Sequence, residues 1–137
     1  MLQNYLEHHD EYDGSGNFNE EGFAAMQAVI PRGVEVFKKA LAAGIKMPLG
    51  TDAVAGAHGH NAREIIARVL KGGQKPMDAI ISATSLAAES MNLGDRVGTL
   101  KAGYEADIVA VRNDPVKDIT KLRDVLYVMR AGKVLRK

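Results

Sequence analysis

The clearest alternation of apolar and polar positions lies in the middle of the chain. Apolar residues recur there at positions i, i+3, i+4, i+7 and i+8 of one helix face: Ala62, Ile65, Ile66, Val69 and Leu70. Asn61 precedes this run and Glu64 follows three residues later, which resembles a capping box. Gly72 ends the run. The pattern predicts an amphipathic helix that begins after Asn61 and is capped by its side chain.

Two helices are predicted upstream of this one. Asn19 is a suitable N-cap for a helix over residues 20–29. Pro31 fits the first turn of the next helix, where a backbone N–H would have no partner in any case. Gly44 would end that second helix. The position of the proline therefore predicts two helices instead of one.

Downstream of residue 72, two further helices are predicted. Pro76 begins an apolar helix over residues 76–81, which we expect to be buried. Thr84 or Ser85 then caps a short helix that runs to Met91.

Strand-like patterns appear once in the first half of the chain and several times near its end. Residues 45–51 read as a short buried strand, although Pro48 cannot donate to a sheet ladder. Residues 96–100, 106–112 and 125–130 also read as strands. Ala131 and Gly132 form a plausible tight turn into residues 133–135, which predicts a C-terminal hairpin. Asp107 is expected to face out of a strand or to brace a turn.

Composition limits the classes of protein that the chain can belong to. Its 137 residues, 46% of them hydrophobic, suit one domain with a core. Eighteen basic and seventeen acidic residues give a formal net charge of +1, so neither nucleic acid nor an anionic membrane is an expected partner. No apolar run approaches the ~20 residues of a membrane span. Because the chain has no cysteine, any metal must be held by nitrogen and oxygen atoms.

The first ten residues lack a basic stretch followed by an apolar core. No signal peptide is therefore predicted, and the cytoplasm is the default location, with the compartment otherwise open.

Several short motifs follow one another along the chain. They are GTD at residues 50–52, HGHNARE at 58–64, GQKPMDAI at 73–80, AT at 83–84, RVGTLKAGYEADIVAV at 96–111, NDP at 113–115 and VMRAGKV at 128–134. Their order and spacing resemble the C-terminal portion of the amidohydrolase superfamily, with the imidazolonepropionase-like and Xaa-Pro-dipeptidase-like enzymes as the most similar subgroup. Each motif alone is weak, and their order carries the resemblance.

The resemblance implies an α/β fold that is the end of a (β/α)8 barrel plus part of a small β-sandwich. Residues 1–92 would hold the last barrel strand with its flanking helices, and residues 93–137 would hold C-terminal strands of the sandwich. A barrel alone takes about 250 residues. The resemblance therefore also implies a complementary N-terminal portion or a homo-oligomer.

Asp52 resembles the aspartate at the end of the family's eighth strand, where it binds a metal and takes a proton from the activated water. The metal implied is divalent, with zinc the first expectation and one or two ions in the complete enzyme. From the residues alone, Asp52 also suits a turn or cap. His58 and His60 would lie at the mouth of the pocket and contact substrate. The pair could also hold a metal together with Asp52, or make ordinary loop hydrogen bonds.

The resemblance implies a metal-dependent hydrolase of amide, peptide-like or cyclic amide C–N bonds, which acts on a small or dipeptide-like substrate. The alternative is a catalytically incomplete fragment or assembly module that needs a complementary chain. A nucleic-acid module is a third reading, which the balanced charge disfavours.

Overall fold

A computed structural model describes residues 19–53 and 58–137, and the chain divides into two compact units. The first comprises Met1–Ile45 with Thr51–Gln74, and the second comprises Lys46–Gly50 with Lys75–Lys137. The mixture of helix and strand agrees with the predicted α/β class. The predicted division at residue 92 into barrel and sandwich parts stays a prediction.

In the first unit, one helix, α1 (Glu20–Ala42), replaces the two that were predicted. Asn19 caps it as expected, since its Oδ1 accepts a hydrogen bond of 2.8 Å from the Gly22 N–H. Pro31 lies inside the helix, so the predicted break is wrong. Proline removes one backbone hydrogen bond, but its fixed φ near −65° is itself close to helical, and the flanking bonds carry the helix through.

The end of α1 confirms the predicted role of Gly44. Gly44 has φ +70°, and its N–H donates to the Leu41 carbonyl at 3.0 Å. The Ile45 N–H donates to the Ala40 carbonyl at 3.0 Å. These two bonds form a Schellman motif, in which the left-handed residue lets the chain turn back onto the last helical carbonyls.

The second helix of this unit, α2 (Ala62–Leu70), is the predicted amphipathic one, and Ile66 is its buried residue. Phe37 of α1 meets the C-terminal turn of α2, where the Arg68 guanidinium carbon lies 5.3 Å from the centre of the phenyl ring. Gly72 makes this approach possible. A Cβ at Gly72 would lie 2.5 Å from both the Arg68 carbonyl oxygen and a Phe37 ring carbon.

In the second unit, α3 (Pro76–Ala83) packs on α4 (Ser85–Ser90), and Ala79, Ser82 and Ala88 are buried. The expectation that α3 is wholly buried is wrong, because Ile81 is 41% exposed. Thr84 does not cap α4 either. Its Oγ1 donates to the Ile80 carbonyl at 2.8 Å, which satisfies a carbonyl of α3 instead of an N–H of α4.

Residues 45–51 do not form the predicted buried strand. Ile45 is 58% exposed, and the Leu49 N–H donates to the Ser82 carbonyl at 2.8 Å. A strand requires a neighbouring strand for its ladder, and no strand of residues 19–53 or 58–137 pairs with this segment. Pro48 also lacks the N–H that such a ladder would use.

The C-terminal part forms a three-stranded antiparallel sheet. Its strands, in the order β1-β2-β3, are β1 (Ile108–Val111), β2 (Val125–Arg130) and β3 (Lys133–Arg136). A 3-10 helix, Ile119–Arg123, lies between β1 and β2 and contacts β1. The strands predicted at residues 106–112, 125–130 and 133–135 are therefore confirmed, with small changes of bounds.

Residues 96–100 are turns and bends, so the strand predicted there is wrong. Both the Arg96 and the Val97 N–H groups donate to the Leu93 carbonyl, which closes a turn. Gly98 has φ +86°, and a Cβ there would lie 2.8 Å from the Ala88 Cβ. The segment is held by close approach to α4 instead of by a ladder.

The predicted hairpin turn is confirmed. Ala131 and Gly132 have φ of +47° and +76°, the pair of left-handed residues that a two-residue type I′ turn requires. Asp107 braces this turn, because its Oδ1 accepts a hydrogen bond of 2.7 Å from the Ala131 N–H.

Within residues 19–53 and 58–137, no helix has the length and apolarity needed to cross a membrane.

We predict that Gly72→Ala destabilises the chain, because the new Cβ collides with a backbone carbonyl and the Phe37 ring. The expected loss in the free energy of unfolding is roughly 1–3 kcal/mol, measured by urea denaturation. Gly33→Ala is the matched control, since a Cβ at Gly33 in α1 meets nothing within 4 Å. It should be neutral or stabilise by up to about 1 kcal/mol. Equal effects of the two substitutions would contradict this packing.

Asp118 provides a pH-dependent test of the second unit. Hydrogen bonds from the Thr120 hydroxyl (2.6 Å) and backbone N–H (3.0 Å) lower the pKa of the Asp118 carboxyl. The stability that this carboxylate contributes is therefore present at neutral pH and is lost as pH falls through its folded-state pKa. Asp118→Ala should lower Tm at pH 7. The difference in Tm between the variant and the wild type should disappear in acid, where the carboxyl is protonated in both states. A Tm difference independent of pH would contradict the assignment.

Candidate active site

The candidate site residues belong to the first unit, on the stretch of chain that ends where α2 begins. Asp52 is exposed, and its φ of +46° places it in the left-handed region. Aspartate tolerates this region better than most residues, but a non-glycine residue there is uncommon and needs surrounding structure to hold it. The Asp52 carboxylate is therefore carried by a backbone conformation that is uncommon for a residue other than glycine.

Asn61 does not cap α2, so the predicted capping box is wrong. Its backbone is already helical (φ −56°, ψ −32°), and its side chain makes no cap hydrogen bond. The side-chain amide instead donates to the Thr51 Oγ1 at 3.0 Å. Backbone bonds close the first turn, from Arg63 N–H to the His60 carbonyl at 2.9 Å and from Glu64 N–H to the Asn61 carbonyl at 3.1 Å.

His58 is exposed and His60 is partly buried, and both lie in the turn that leads into α2. Their predicted contact with substrate stays a prediction. Residues 54–57, between Asp52 and His58, lie outside the described residues, as do His8 and His9.

The described donors do not make a metal site by themselves. Within residues 19–53 and 58–137, no group of three or more His, Cys, Asp or Glu side chains could hold a metal ion. A catalytic zinc site has three protein ligands and an open position for water. Asp52 can offer an oxygen ligand, and His58 and His60 can offer nitrogen ligands.

A groove of about 250 Å³ runs along α1 and α2 of the same unit. Its apolar wall includes Ile30, Val34 and Phe37, and its polar wall includes Glu64 and Arg68. Burial lowers the pKa of the Arg68 guanidinium, and Glu64, whose Oε1 lies 3.9 Å from the Arg68 Nε, opposes this shift. The lining includes none of Asp52, His58 and His60, so the groove and the candidate site are different features.

Comparison with known proteins gives a consistent result. A sequence profile described as the amidohydrolase family matches residues 12–135. Ochratoxinase of Aspergillus niger is 33% identical over 121 residues, which is 85% of this chain and 25% of that protein.

Solved structures agree with the sequence matches. The crystal structure of a Xaa-Pro dipeptidase with bound methionine in the active site matches with a TM-score of 0.82 and 30% identity, over 99% of this chain and 33% of that one. The crystal structure of A. niger ochratoxinase matches with a TM-score of 0.74 and 30% identity, over 98% and 30%. The chain thus spans about a third of these structures and a quarter of the curated relative.

Proposed function

The chain belongs to the amidohydrolase family, and from this we propose that it is the C-terminal part of a hydrolase that cleaves amide-type C–N bonds. The observation that carries the proposal is the match to a Xaa-Pro dipeptidase, which extends over nearly the whole of this chain and a third of that enzyme. Ochratoxinase is similar over most of the chain as well. A dipeptide-like amide is the substrate class that the name Xaa-Pro dipeptidase favours.

In this proposal, residues 1–92 are the end of the barrel and residues 93–137 belong to the β-sandwich. Residues 45–51 would become the last barrel strand once a neighbouring strand is supplied. Their present state supports this view. Leu49 already donates one backbone hydrogen bond to Ser82, and no described strand pairs with the segment.

Asp52 is the proposed catalytic carboxylate. An ionised carboxylate beside the scissile bond can take a proton from the attacking water and deliver it to the leaving nitrogen. The exposed position of Asp52 leaves its oxygens accessible. His58 and His60, on the turn before α2, are the proposed substrate contacts.

A divalent metal, zinc in the first instance, is part of the same proposal. Bound metal lowers the pKa of a coordinated water to about 7, which is the chemistry it would supply. Asp52 would give one oxygen ligand. The proposal takes the other ligands from a complementary portion or a second copy of the chain; within residues 19–53 and 58–137, no group of three donors could hold a metal.

A second candidate function is an assembly module that has no activity of its own. Exposed apolar side chains favour it, among them Leu100 at 81% exposure and Val36 at 66%. Such side chains are suited to contact with another chain. The two candidates differ in whether the assembled protein hydrolyses an amide bond at Asp52.

Release of proline from Xaa-Pro dipeptides distinguishes the hydrolase from the assembly module. We expect the assembled protein, supplied with Zn²⁺, to release proline, and Asp52→Asn to reduce kcat/KM by on the order of 10²–10⁴. The amide side chain keeps the shape of the carboxylate but is too weak a base to accept the proton.

Asp95→Asn is the matched control, since Asp95 is also an exposed carboxylate and should be dispensable. Full activity in Asp52→Asn would rule out the proposed role of Asp52. Absence of proline release from the wild-type protein in every preparation would favour the assembly module.

A further inference from the structure

Two local departures from ordinary structure occur at the two ends of one short stretch of chain. Asp52 has a left-handed backbone, a conformation that costs free energy for a residue with a side chain and persists only where its surroundings hold it. Asn61 stands where a helix cap is expected but gives α2 no cap, although asparagine is among the residues that stabilise a helix most in that position. Local rules of this kind are commonly broken at functional sites.

One hydrogen bond links the two departures. The Asn61 amide donates to Oγ1 of Thr51, the residue that immediately precedes Asp52. The bond joins residues ten positions apart and so closes the stretch that carries His58 and His60. A contact that ties together two residues distant along the chain restricts the conformations open to both of them.

Thr51 is well suited to transmit this restraint. Its side chain is branched at Cβ, so fixing Oγ1 fixes a χ1 angle that has few alternatives. Thr51 is also partly buried, whereas Asp52 beside it is exposed. At the other end, the helical backbone of Asn61 is continuous with α2, which anchors the bond to a regular element.

We propose that Asn61 is a positioning residue, whose amide acts through the Thr51 hydroxyl to hold Asp52 in its left-handed conformation and so to aim its carboxylate. The catalytic consequence rests on the proposed function, but the conformational claim does not. Asn61 does not need to touch substrate. Its side chain is used for this contact instead of for the cap that its sequence position predicts.

The test uses the full 137-residue chain and NMR spectroscopy. The Cα and Cβ chemical shifts and the amide–Hα coupling of Asp52 report the sign of its φ. The wild-type chain should show one left-handed conformation. Asn61→Ala, which removes the donor, and Thr51→Val, which removes the acceptor at nearly constant shape, should both shift Asp52 towards negative φ.

Thr51→Ser is the rescue variant, because it keeps the hydroxyl and should retain the wild-type signature of Asp52. Circular dichroism verifies that each variant stays folded. Unchanged Asp52 signals in both Asn61→Ala and Thr51→Val would overturn the proposal. Loss of the left-handed signature in Thr51→Ser, to the same degree as in Thr51→Val, would overturn it as well.

The kinetics of hydrolysis supply a second measurement. Replacing a residue with a merely structural role would not change kcat and KM in the pattern expected here. In the assembled protein, Asn61→Ala should lower kcat about tenfold and leave KM within about twofold, because substrate contacts remain while the carboxylate is misaligned. A rise in KM with kcat unchanged would contradict a role in positioning Asp52. If wild-type protein hydrolyses no amide, the proposed function fails, and the NMR signature of Asp52 still decides the role of Asn61.

Discussion

The constraint on which the rest of the structure depends is the small amount of apolar surface that the described residues bury. Among the described residues, the buried apolar side chains are Phe23, Ile66, Ala79, Ala88 and Ile119, and two of these are alanines. Leu100 and Val36, by contrast, are mostly exposed. Fully burying one large apolar side chain contributes about 1.5–3 kcal/mol, so a chain that leaves many exposed is stabilised weakly by its own core. The chain matches about a third of the length of a solved Xaa-Pro dipeptidase, which is consistent with the proposal that further polypeptide covers these surfaces.

The sequence predicts well those features that depend on neighbours along the chain. The Asn19 cap, the Gly44 terminus and the turn at Ala131 and Gly132 are each set by the backbone preferences of one or two residues, and all three are confirmed. The failures depend on distant partners. Residues 45–51 have strand composition but no described strand to pair with, and residues 96–100 lie against α4 instead of entering the sheet.

The candidate site divides in the same way. The sequence singles out Asp52 because a carboxylate follows an apolar run and a glycine, and its role stays a prediction. Its left-handed backbone and the bond between Thr51 and Asn61 are not visible, because the pattern of an asparagine three residues before a glutamate indicates a helix cap whether or not the side chain is used as one. A contact between residues ten positions apart has no periodic signal in the sequence. The metal ligands could not be assigned from this chain either, since no three donors meet within its described residues.

Native mass and metal content, measured together on protein purified without added metal, test most directly the claim that this chain is completed by another polypeptide. Analytical ultracentrifugation at micromolar concentration gives the mass, and mass spectrometry gives the metal. We expect a homo-oligomer or a complex with a larger partner, with any stoichiometric divalent metal confined to that assembly. A monodisperse monomer with a cooperative thermal transition and about one bound divalent ion would contradict the claim.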